Sequence, residues 1–114
     1  MIRLSPRAER WFLDHIAELA EESPTAVRNL LRKLERLRRN LTAFPHMAPP
    51  GLIPGTRRAV LAPLILTILE RDGVVEIAAI RHAKQEDAYA PSDLTAEIGY
   101  LPAPGTENGE EDPG

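Results

Sequence analysis

The chain contains no cysteine, which excludes disulfides, thiol nucleophiles and thiolate metal sites. No apolar run reaches the roughly 20 residues needed to span a bilayer, and the opening Met1-Ile2-Arg3-Leu4-Ser5-Pro6 does not read as a signal peptide. The expectation is a cytoplasmic protein that does not enter a membrane. Also missing are a phosphate-cradling glycine loop, a GxSxG elbow and an HExxH pair. The histidines, His15, His46 and His82, lack metal-ligand spacing, so no metal and no cofactor are expected. Most enzyme classes drop out on these absences.

At 114 residues the chain has room for one domain with a core of modest size. Its net charge of −3 hides an asymmetry. Residues 1–90 carry all fourteen basic residues against eleven acids, a net of +3, whereas residues 91–114 hold six acids and no base. The expected organisation is a folded unit over residues 1–90 and an acidic, Pro/Gly-rich tail over 91–114, disordered by composition beyond Leu101. Such a tail serves solubility or masks a basic body.

Ile2 to Leu4 fits a short edge strand. Ser5-Pro6 then places an N-cap before a proline at the first helical position, where the missing N–H has no cost. A helix follows to about Glu21, with Ala8, Trp11, Phe12, Ile16 and Leu19 on one stripe and His15 at its boundary. Ser23-Pro24 repeats the start signal, so a second helix, to about Leu41, must run back antiparallel to the first. Its inner face is Val27, Leu30, Leu31, Leu34, Leu37 and Leu41. Its outer face is basic, through Arg28, Arg32, Arg36 and Arg39, widened by Lys33 and Arg38. That face is either solvated or meets nucleic acid or an acidic protein.

Prolines 45, 49, 50 and 54 turn the stretch from Thr42 to Thr56 into a surface loop, with Phe44 and Met47 expected to pin it to the core. Three strand-like runs follow: RRAVLA, LILTILE and VVEIAAIRH. Asp72-Gly73 joins the last two, and this dipeptide tolerates the positive φ of a two-residue hairpin turn. A regular hairpin there pairs Ile68 with Ile77 and Leu66 with Ala79, and turns those residues toward the helices. The opposite face then carries Ile65, Thr67, Leu69, Glu76, Ala78, Ile80 and His82, which is too apolar to face water, so the tail or a partner should cover it. Beyond Lys84 a short helix capped by Ser92 is plausible on pattern.

One chemically interesting constellation emerges: Arg57 and Arg58 on the first strand of the meander, Arg81 and His82 at the end of the third, and Tyr89 just beyond. Drawn to one end of the sheet, these residues would supply guanidinium forks for a phosphate and one imidazole for acid–base work, the minimum for metal-free RNA cleavage. Structural or partner-binding arginines are the competing reading.

The order of elements, and the wording LSPRAERWFLDHIAELAEESPTAVRNLLRKLERLRRNLTAFPHMAPPG followed by GTRRAVLAPLILTILERDGVVEIAAIRHAKQ, resembles the ParE/RelE superfamily of type II toxin–antitoxin toxins over about residues 2–85. The resemblance implies an α+β fold, an N-terminal helical hairpin packed on a small antiparallel sheet. It also implies a cognate, ParD-like antitoxin. ParE-like members inhibit DNA gyrase without cutting nucleic acid; RelE-like members cut mRNA in the ribosomal A site. The long, closely joined helices look ParE-like, and no lysine occurs in the Thr42–Thr56 loop, where RelE-like members are lysine-rich. On this resemblance the chain is expected to bind gyrase, with no catalytic residues. A ribosome-dependent ribonuclease using Arg57, Arg58, Arg81, His82 and Tyr89, or a non-toxic member that only binds its antitoxin, are the alternatives. Antitoxin contacts are expected at Trp11, Ile65, Leu69 and Ile80, and target contacts at Arg28, Arg32, Arg36, Arg39 and Arg81.

Overall fold

Both helix starts form as their capping residues dictate. In the computed structural model, which describes residues 1–98, the Ser5 hydroxyl accepts the Ala8 backbone N–H and opens α1 (Pro6–Glu22). The Ser23 hydroxyl accepts that of Ala26 and opens α2 (Pro24–Ala43). Ser23 is at once the C-cap of α1 and the N-cap of α2, so a single residue makes the reversal.

The sheet has four strands in the order β1-β4-β3-β2: β1 (Arg3–Leu4), β2 (Thr56–Leu61), β3 (Leu64–Arg71) and β4 (Val74–His82). β2, β3 and β4 form the antiparallel meander, while β1 lies parallel against β4, making the sheet mixed. Asp72 (φ 53°) and Gly73 (φ 78°) both take positive φ, as a primed hairpin turn requires. Arg38 does not join the basic face of α2: its Nε donates to the Ile2 carbonyl at 2.7 Å and ties β1 to the helix.

The main core lies between the helical hairpin and one face of the sheet. Ala8, Phe12, Leu30, Leu34 and Leu41 meet Leu64, Leu66, Ile68, Ile77 and Ile80, with Trp11, Ile16, Leu19 and Leu37 packed at its margin. Leu31, expected inside, is exposed.

A β-bulge corrects the expected register. Pairing follows the regular hairpin from the turn to Ile68↔Ile77, then shifts, so that Thr67 meets Ala79 and Leu66 meets Ile80. Ala78 is the extra residue. Because side chains alternate, one inserted residue exchanges the two faces for everything beyond it. Ile80, expected on the open face, is fully buried against the helices (0% exposed). Ala79 takes its place on the other face.

That second face is covered by the chain itself. α3 (Ser92–Ile98) folds back across it, and Leu94 packs with Ala79 and with Ile53 from the proline-rich loop, against Leu69, Ala78 and Ala90. The loop is therefore anchored by Ile53 and Ala48, whereas Phe44 (67% exposed) and Met47 (51% exposed) face outward. Residues 99–114, including the stretch expected to be disordered, lie outside the described residues.

Candidate functional site

Adjacent residues on a strand point to opposite faces, which decides how the expected arginine–histidine constellation is arranged. Arg57 is level with Ile68 and Ile77, whereas His82 is level with Leu64 and Leu61. Four residues of β3 separate those levels, about 13 Å along the strand. Arg57 is engaged in holding the loop, with Nη1 donating to the Ala48 carbonyl at 2.7 Å and the His46 carbonyl at 3.2 Å.

Arg58 and Arg81 lie on the outer face, opposite Thr67 and Ile65 respectively. The Arg58 guanidinium sits 5.5 Å from the centroid of the Tyr89 ring. Arg81 is 12% exposed and clasped by two carboxylates, Asp93 at 2.9 Å and Asp87 at 3.4 Å. Asp87 also accepts the Ser92 backbone N–H at 2.9 Å and the Ser92 hydroxyl at 3.0 Å. Partial burial pushes the Asp87 carboxyl up, but the two Ser92 hydrogen bonds and the Arg81 charge outweigh it and hold the group below the ordinary aspartate value. This cluster pins the start of α3 to the sheet. Arg7 adds an outer tie, to Asp93 at 3.6 Å and to Glu97 at 3.3 Å.

His82 turns to the other face, in a different company. Its Nδ1 accepts the Lys84 backbone N–H at 3.1 Å. Its ring centroid lies 6.5 Å from that of His15, which in turn stacks on Trp11 at 5.2 Å with a 13° interplanar angle. The imidazole thus faces α1, away from Arg58 and Arg81. The five residues form three separate settings, not one centre.

Of the residues expected to meet an antitoxin, Trp11 and Leu69 keep accessible surface, while Ile65 (3% exposed) and Ile80 are buried. Of those expected to meet a target, Arg28, Arg32, Arg36 and Arg39 are exposed along α2, and Arg81 is withdrawn into its ion pairs. Sequence reasoning missed Asp87 and Asp93 as partners of Arg81, and Ser92 as the donor to Asp87. The available signal was two acids, Asp87 and Asp93, on either side of Ser92 shortly after a charged strand end.

A cleft of about 440 Å³ opens between β1, the β3–β4 turn and α3. Arg3, Arg7 and Arg71 face Asp72, Glu76 and Glu97 around it, so neither sign of charge converges on a ligand. Among the described residues no helix is long and apolar enough to cross a membrane.

A helical hairpin packed on a four-stranded mixed sheet defines an α+β domain. The family model described as ParE toxin of type II toxin-antitoxin system, parDE, matches residues 2–87. The chain belongs to this family of toxins, whose members work in a module with an antitoxin partner. No curated protein matches the chain.

Proposed function

We propose that this toxin acts by binding, with DNA gyrase as its target and a cognate ParD-like antitoxin as its neutralising partner. The observation that carries the binding reading is the separation of His82 from Arg57, Arg58 and Arg81. With His82 as the acid–base group, RNA cleavage needs its imidazole and a phosphate-holding cation within hydrogen-bond reach of one reacting group. Here the imidazole faces α1, Arg57 ties down a loop, and Arg81 is neutralised by two carboxylates. Membership of the ParE family supports gyrase as the target.

The antitoxin contact is placed on the helical hairpin around Trp11. The outer sheet face, which invited a partner when read as open, is already covered by α3 and Ile53. A partly exposed tryptophan flat against an imidazole is a suitable anchor, since aromatic residues dominate the energetics of protein interfaces.

The test is a pair of assays on the purified protein. Gyrase should lose supercoiling activity or accumulate cleaved plasmid, and a translation extract should show no codon-dependent mRNA cuts. Messenger cleavage would overturn the reading, and His82→Ala should then lower that activity by about 10²–10⁴-fold.

A further inference from the structure

α2 carries six basic residues and a single acid, Glu35. At about 100° per residue, Arg28, Arg32, Arg36 and Arg39 fall within an arc of about 80°, and the buried Leu30, Leu34 and Leu41 lie on the far side of the helix. The four arginines therefore project directly away from the body, along about 16 Å of helix axis. Arg39 is paired with Glu35 at 2.9 Å. Among the described residues, Arg28 and Arg32 donate to neutral oxygens, those of Thr25 and Asn29, each at 3.2 Å.

This arrangement works against the isolated helix. Arg28, Arg32 and Arg36 follow one another at i,i+4, where like charges destabilise by a few tenths of a kcal/mol per pair. α2 also lacks an acid in its first turn and a base in its last, so its charges do nothing to complement the macrodipole. Apart from the Arg39–Glu35 pair, the described residues offer no compensating gain for this broken local rule, which marks a surface suited to a polyanion.

We propose that the outer face of α2 binds the phosphate backbone of duplex DNA. The stripe contains no aromatic side chain and borders a single exposed leucine, Leu31, whereas a protein partner would call for a larger apolar anchor and a single strand for stacking platforms. Guanidinium forks match phosphate oxygens. A duplex presents about one negative charge per 1.7 Å of its axis, enough along the stripe to engage all four arginines. The contact is independent of the target assignment, and gyrase is absent from its test.

The full-length protein is titrated against a fluorescent 24-base-pair duplex of arbitrary sequence at several salt concentrations. Four phosphate contacts predict a slope of log affinity against log salt of about −3.6, or a loss of roughly a hundredfold between 50 and 200 mM. The variant R28Q/R32Q/R36Q/R39Q should lose binding by at least about a hundredfold at 50 mM salt, with a slope near zero. Its control, R3Q/R10Q/R71Q/K84Q, has the same net charge with the neutralised positions elsewhere on the exposed surface, and should keep the wild-type slope. The half-variants R28Q/R32Q and R36Q/R39Q, with unfolding midpoints unchanged, should each lower the slope by about two. Equal losses in stripe variant and control, or wild-type binding by the stripe variant, would overturn the proposal. So would competition by polyglutamate as effective as that by DNA of equal charge, which would reassign the face to an acidic protein.

Discussion

Arg81 and Asp87 show how much of the outer face depends on a few charged atoms. Asp87 gathers the Ser92 N–H, the Ser92 hydroxyl and the Arg81 guanidinium around one carboxylate oxygen. Its acidity is raised in the folded state, so its contribution to stability is present above the unfolded value near pH 4 and is lost as pH falls through the lower folded value. Asp87→Asn should therefore lower the thermal midpoint at pH 7, and the gap from the wild type should narrow as pH falls below the unfolded value near 4. A gap that stays constant with pH would show that the carboxylate charge contributes nothing. Buried apolar residues give a second, independent check. Leu34→Ala should cost about 2–5 kcal/mol in denaturant unfolding. Ile80→Glu should leave the chain unfolded in solution, because it places a charge with no partner against the helices. A folded Ile80→Glu protein would place that residue on the open face and refute the register shift.

At the scale of elements, the bulge at Ala78 is the feature with the widest consequences. It lets the first part of β4 follow the Asp72-Gly73 hairpin while the second part presents Ile80 to the helices and Arg81 to the outer face. Deleting Ala78 restores a regular hairpin and exchanges both residues. The expected result is severe loss of stability, measured by circular dichroism and denaturant titration, whereas deleting the exposed Lys84 should be far milder. α3 depends on the same register, since Leu94 packs on Ala79 and Asp93 reaches Arg81 only because the bulge brings both to that face. Removing residues 92–114 should uncover Ile53, Ala79 and Leu69 and raise binding of a hydrophobic dye. Dye binding like that of the intact chain would show that α3 is not what covers the sheet.

For the whole molecule, charge is divided between a basic α2 and an acidic C-terminal stretch. Ending the chain at Leu101 removes Glu107, Glu110, Glu111 and Asp112 and moves the formal net charge from −3 to +1. The shortened protein should bind polyanions more tightly than the intact one at low salt. The difference should vanish near 1 M salt, where the Debye length falls to about 3 Å. Equal binding at low ionic strength would leave the acidic stretch with no screening role.

The helical hairpin was legible in the sequence apart from the places of Leu31 and Arg38. Ser5-Pro6, Ser23-Pro24 and the leucine spacing of α2 are local signals, and local hydrogen bonding and periodicity are enough to decide helix ends and buried faces. The Asp72-Gly73 turn was legible for the same reason. What the local pattern could not decide was which face Ile80, Arg81 and His82 occupy. The run Ala78-Ala79-Ile80 in VVEIAAIRH is apolar and fits either face, so packing of both layers selects the bulge. The expected catalytic cluster dissolved on that one choice of tertiary structure, and so did the open sheet face. The basic stripe of α2 survived intact, because helical periodicity alone places its four arginines together and the core beneath it settles that they face outward.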